Sequence, residues 1–151
     1  MTKDIIITVI GLQFDIQEHS PLEVITPGRY YFKNNKHYII YNELSMETGK
    51  EVSNVVKIGN NRIDVIKKGD DSAHMVFEPG KKNISYYSTP YGDLLIGINT
   101  LDIQLKETDL NIDVNIEYAL EINYSHVSDC TISLNIKSID DKDFTLQRRN
   151  L

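Results

Sequence analysis

The densest run of chemically capable side chains lies between Arg29 and Glu43, where Arg29, Tyr31, Tyr41 and Glu43 stand in a tyrosine-rich stretch. Tyrosine joins an apolar body to a polar tip, which suits a barrel interior or a protein interface. The same residues serve as plain cross-strand packing pairs, and Arg29 with Glu43 could be a ligand anchor or an ordinary cross-strand ion pair. A second group comprises Glu78 and the segment carrying Tyr86, Tyr87, Thr89 and Tyr91, in which Pro90 and Gly92 supply turn chemistry. A turn of this kind at a barrel rim could border a ligand, because loops and strand ends gather there.

Nucleophilic and metal chemistry find less support. Cys130 is alone in a strand-like setting, where a single cysteine acts as a small apolar residue. His19, His37, His74 and His126 are never spaced two or four apart, so no local ligand pair exists. The Gly-x-Ser-x-Gly elbow, the Gly-x-Gly-x-x-Gly fingerprint and the phosphate-binding Gly-Lys loop are all missing. Asp140-Asp141-Lys142-Asp143 lacks the glycine and terminal glutamate of a calcium loop. The sequence therefore implies no catalytic residue, no cofactor and no metal.

The elements that must position these residues follow from composition and periodicity. Of 151 residues, 21 are Ile and 9 Tyr but only 2 Ala, a β-branched and aromatic mixture that favours strands over helices. A net charge of −6 disfavours a dominant attraction to nucleic acid. The pairs Lys67-Lys68, Lys81-Lys82 and Arg148-Arg149 read as solvated surface. Asp4 precedes a short interrupted apolar run from Ile5 to Leu12, unlike a signal peptide, and no run reaches a membrane span; a cytoplasmic protein is expected.

From Leu110 to Tyr124 the even positions Leu110, Ile112, Val114, Ile116, Tyr118, Leu120, Ile122 and Tyr124 are apolar or aromatic, and the odd ones mostly polar. Only a strand gathers such a set on one face. Further strand-like runs lie at about 4–17, 23–33, 36–44, 52–58, 62–68, 73–78, 83–89, 93–106 and 131–137, giving ten in all. The links between them, such as Asn34-Asn35 and Gly59-Asn60-Asn61, carry tight-turn chemistry, so neighbours pair antiparallel as a meander. Without a helix to cover a face, the meander is expected to close into an all-β barrel of about 8–10 strands. Pro27-Gly28 reads as a bulge or corner within one long strand. Residues 1–138 then form one domain and 139–151 a polar tail.

The stretch from Pro27 to Glu43, with Gly28, Tyr30, Tyr31, Lys33, Asn35, Lys36, Tyr38, Tyr41 and Glu43, resembles the tyrosine hairpin of the YwiB-like family, small proteins of unknown function found mainly in Firmicutes. Thr89-Pro90-Tyr91-Gly92-Asp93-Leu94 is similar to that family's Thr-Pro-x-Gly-x-Leu segment. The resemblance runs from about Ile5 to Lys137 and implies a calycin-type barrel, similar in shape to lipocalins and fatty-acid-binding proteins, with no known activity. The Gly-x-Trp opening of lipocalins is excluded by the absence of Trp, and Thr131–Lys137 lacks the Arg-x-Tyr clamp of fatty-acid-binding proteins.

Two functions are consistent with this reading. One is a non-catalytic barrel holding a small apolar or amphipathic ligand in its lumen, with Arg29, Tyr31, Tyr41, Glu43, Glu78, Tyr86, Tyr87, Thr89 and Tyr91 as candidate contacts. The other is an interaction or self-association module, such as a homodimer, that uses a tyrosine-rich face; neither involves nucleic acid or membrane.

Overall fold

The computed structural model describes residues 1–11, 23–44, 49–69, 72–89 and 91–139. Ten strands account for nearly all of them: β1 (Asp4–Ile10), β2 (Glu23–Lys33), β3 (Lys36–Leu44), β4 (Glu51–Gly59), β5 (Arg62–Lys68), β6 (Ser72–Phe77), β7 (Lys82–Thr89), β8 (Gly92–Glu107), β9 (Asn111–Ile122) and β10 (Ser125–Ser138). Each pairs antiparallel with the next, and β1 pairs with β10, so the sheet is a closed up-and-down barrel. The expected ten-strand meander is the observed one. Asn34 and Asn35 both adopt positive φ, the conformation a two-residue hairpin turn requires.

Closure sends alternate side chains inward. On β9 Ile112, Val114, Ile116, Tyr118 and Leu120 are buried, while Asn111, Asp113, Asn115, Glu117 and Glu121 face outward. The inner set continues through Ile5, Ile7, Ile39, Val56, Ile63, Val65, Met75, Phe77, Ile96, Ile98, Ile132 and Ile136, all essentially inaccessible to solvent. Each such side chain contributes about 1.5–3 kcal/mol relative to exposure. Phe77 meets Tyr118 edge-on with ring centroids 5.2 Å apart, so the middle of the barrel is filled by side chains rather than open. Among the described residues no helix is long and apolar enough to cross a membrane.

Two departures from a regular ladder matter for the site. Leu101 is the extra residue of a bulge between Thr100 and Asp102, which switches the inward set of β8 from Ile96, Ile98 and Thr100 to Ile103, Leu105 and Glu107. Between β6 and β7 only Ser72–Ser88 and Ala73–Tyr87 pair, leaving a seam toward the lower end, defined here as the end where β1 begins. The turn between these strands docks on the bulge instead, through Gly80 N to Thr100 O at 2.9 Å and Thr100 N to Lys81 O at 3.1 Å.

At Pro27-Gly28, read as a bulge or corner, no bulge interrupts the ladder, since β2 keeps unbroken register with β1 through Asp4–Arg29 and then with β3 from Arg29 onward. The strand changes partner there. β10 also starts earlier than the alternation suggested, at Ser125, because a register shift between His126 and Ser128 interrupts the pattern. The tail expected from 139 lies outside the described residues except for Ile139, as does the part of the first run beyond Gly11.

Gly28 tests the close approach of β2 and β3. A methyl group built on it would lie 2.8 Å from the Ile40 carbonyl oxygen and 3.3 Å from Tyr41 Cβ. Gly28→Ala is therefore expected to lower unfolding stability by about 1–3 kcal/mol through forced backbone displacement, measured as a shift of the urea midpoint.

Candidate functional site

A row of paired residues crosses the inner wall near the upper end of the barrel. Its ladder partners run Tyr41–Asn54–Lys67–Ala73–Tyr87–Leu94 across β3 to β8. One step closer to the mouth, Glu43 stands opposite Val52. The parity that makes Ile39, Val56 and Val65 core residues therefore places a carboxylate, an amide and an ammonium group in the lumen.

These three groups bind one another. Glu43 Oε1 accepts from Asn54 Nδ2 and from Lys67 Nζ, each at 3.1 Å. The Lys67 and Glu43 side chains are 16% and 19% exposed. Asn54 is fully buried, and its Oδ1 has no hydrogen-bond partner among the described residues. Burial, and then the Glu43 charge, push the Tyr41 hydroxyl above its ordinary pKa, so it remains a neutral donor. A buried ion pair is a poor source of net stability, and a buried amide oxygen without a donor costs about 1–3 kcal/mol. An upper mouth of this composition can bind a group that both donates and accepts hydrogen bonds.

The sequence candidates are distributed unevenly around this cluster. Tyr41 and Glu43 belong to it, and Tyr87 faces the lumen in the same row. Arg29 and Tyr31 point outward from β2, on the opposite face of the sheet from Glu43, so the Arg29–Glu43 pair does not form. Tyr86 is exposed on the outer side of β7, and Tyr91 is 96% exposed beside the β7–β8 turn. Thr89 ends β7 opposite Gly92. Glu78 sits at the lower seam, accepting from Lys81 Nζ and Asn83 Nδ2 at 3.4 Å, with Arg62 Nη1 at 3.9 Å.

Lys67 had read as part of a solvated Lys67-Lys68 pair; it is lumenal, and only Lys68 is exposed. Its signal was available in the alternation, since Ile63, Val65 and Lys67 share one parity. Asn54 carries the same signal among Val52, Val56 and Ile58.

The lower mouth holds a second polar chain. Tyr30 Oη lies 2.6 Å from His37 Nδ1, and His37 Nε2 lies 3.2 Å from Glu107 Oε1 across the barrel. Burial and the Glu107 charge raise the Tyr30 pKa. Tyrosine, imidazole and carboxylate thus form a relay, with Phe32 packed on the imidazole at 5.2 Å. Sequence reasoning missed it because Glu107 turns inward only through the Leu101 bulge.

The profile of a domain of unknown function (DUF1934) matches residues 7–134. The chain belongs to this family. Over 114 residues it is 28% identical to the "Uncharacterized beta-barrel protein YwiB" of Bacillus subtilis (strain 168), covering 74% of this chain and 79% of that protein. The crystal structure of the ywiB protein from Bacillus subtilis superposes with a TM-score of 0.76 at 23% identity, over 91% of this chain and 93% of that one. The likeness fixes the family and the fold of this DUF1934 barrel, and leaves its activity to the chemistry of the sites.

Two predictions follow from the charged clusters. Lys67→Met alone strands the Glu43 carboxylate and should lower stability by roughly 2–4 kcal/mol, somewhat under the fully buried case because both groups keep some solvent. The double variant Lys67→Met/Glu43→Leu should recover most of that loss in urea unfolding. On the outer wall, burial works to raise the Asp64 pKa, but hydrogen bonds from Arg62 (2.8 and 3.1 Å) and His74 (2.9 Å), with their charges, outweigh it and hold the carboxyl below its ordinary value. A lowered folded pKa gives stability that is present above the unfolded value near 4 and lost as pH falls through the folded value. Asp64→Asn should therefore flatten the fall of the thermal midpoint between about pH 5 and pH 3.

Proposed function

We propose that this DUF1934 protein is a calycin-like binding barrel of the cytoplasm that holds a short amphipathic ligand at its upper mouth, with the polar head on Asn54, Glu43 and Lys67. The observation that carries this reading is the fully buried Asn54 carbonyl oxygen, which has no donor among the described residues. A ligand head that donates to Asn54 Oδ1 and accepts from Lys67 Nζ satisfies both groups. Lys67 is already balanced by Glu43, so a neutral head suits the site better than a charged one. The partly buried Val24, Tyr87 and Ile122 offer apolar surface for the ligand body. The filled middle of the barrel favours a short ligand over a long acyl chain threading the lumen. Free Cys130 is consistent with a reducing compartment.

Differential scanning of the full chain with hexanamide, hexanoate and hexylamine tests this reading. Hexanamide should raise the thermal midpoint most, and Asn54→Leu should abolish the rise even where that variant is itself more stable. Equal shifts from all three compounds, or a rise that survives in Asn54→Leu, would place binding elsewhere.

A further inference from the structure

The outer wall formed by β2, β3 and β4 departs from the acidic character of the chain. Tyr31 and Tyr38 are ladder partners on that wall, and each ring carries a lysine ammonium over it, Lys3 at 5.5 Å from the Tyr31 centroid and Lys57 at 5.7 Å from that of Tyr38. Arg29 lies one row above the pair and Lys33 and Lys36 one row below, at the hairpin turn. Among the described residues, none of these five cations has a carboxylate within ion-pair distance, whereas Arg62, Lys67, Lys81 and Lys82 are paired with Asp64, Glu43, Glu78 and Glu121. Asp4 stands opposite Arg29 in the register, and Asp64, already bonded to Arg62 and His74, stands opposite Lys57 at the edge of the wall. A chain of net charge −6 thus concentrates unpaired positive charge around two exposed-side aromatic rings.

We infer that this wall binds single-stranded nucleic acid, with bases stacked on Tyr31 and Tyr38 and phosphates held by Lys33, Lys36, Lys57 and Arg29. Aromatic rings stack on any base, and interleaved cations follow the backbone, which is the composition single-strand binders use. Stacking displaces Lys3 from the Tyr31 ring and moves Lys57 off the Tyr38 ring onto a phosphate. A second copy of the chain is a poorer occupant, because a two-fold contact would bring the same unpaired cations face to face. An overall negative charge weakens nucleic-acid binding at long range without removing a local patch, so weak and strongly salt-dependent affinity is expected. This wall is distinct from the lumenal site, so the two proposals stand or fall separately.

The test is fluorescence anisotropy of a labelled 12-nucleotide single-stranded RNA with the full chain, beside the corresponding duplex and a sedimentation assay with phosphatidylserine vesicles. The expected result is single-strand binding at low salt that falls roughly fifty-fold between about 50 and 200 mM salt, as release from about four phosphates requires. Tyr31→Ala/Tyr38→Ala should weaken it at least about ten-fold through lost stacking, and Lys33→Glu/Lys36→Glu should do likewise. Lys106→Glu, on β8 away from this wall, should leave binding within two-fold, and unchanged thermal midpoints of these surface variants would show that they remain folded. No binding at low salt, binding insensitive to the tyrosine pair, preference for duplex, or sedimentation with vesicles in place of RNA binding would each overturn the inference.

Discussion

Closure of the sheet is the constraint on which the rest of the molecule depends. Once β1 pairs with β10, each strand must send alternate residues into one shared interior, and anything polar at an inward position has to find its partner there. Most inward positions carry Ile, Val, Leu, Met, Phe or Tyr, which fill the middle of the barrel at near-zero exposure. The charged and amide exceptions lie at the two ends, with Glu43, Asn54 and Lys67 at the upper mouth and His37 and Glu107 at the lower, while the buried hydroxyl of Thr100 sits at the β8 bulge between them. An apolar residue at any of these sites would have cost less to bury. Their survival in the interior is the physical reason to treat the mouths, rather than the filled middle, as the functional parts of the barrel.

Much of the fold was legible because a period of two leaves little freedom. The alternation named the buried face of β9 from Ile112 to Leu120, although Leu110 and Tyr124 at its ends lie outside the strand and are exposed, and the turn chemistry at Asn34-Asn35 and Gly59-Asn60-Asn61 set the antiparallel order. The same parity could have exposed Asn54 and Lys67 as lumenal, had inward polar residues been read as exceptions rather than as ordinary surface charge. Arg29 and Glu43 illustrate the opposite error. They are close along the hairpin but lie on opposite faces, so proximity in sequence suggested a pair that the pleat forbids.

What could not be read was the effect of irregularities. The Leu101 bulge inverts the parity of the second half of β8, and nothing in the residue types around Thr100 and Asp102 announces it. It turns Glu107 inward, completes the chain from Tyr30 through His37, and gives the β6–β7 turn backbone groups to dock on. The seam between β6 and β7 is equally silent in sequence, and Glu78 bridges it through Asn83 and Lys81. Charge segregation is likewise a property of the folded wall. The net charge of −6 conceals the unpaired cations of β2 to β4, because most of the paired ones lie on other strands.

The central claim is that the buried amide of Asn54 is a ligand acceptor rather than a tolerated defect of packing. Nitrogen-15 correlation spectra of the full chain titrated with hexanamide address it at the atom concerned. Saturable shifts of the Asn54 side-chain amide, together with the backbone amides of Glu43, Lys67 and Tyr87, are the predicted result. Shifts confined to outward-facing residues, or none up to millimolar hexanamide, would contradict it.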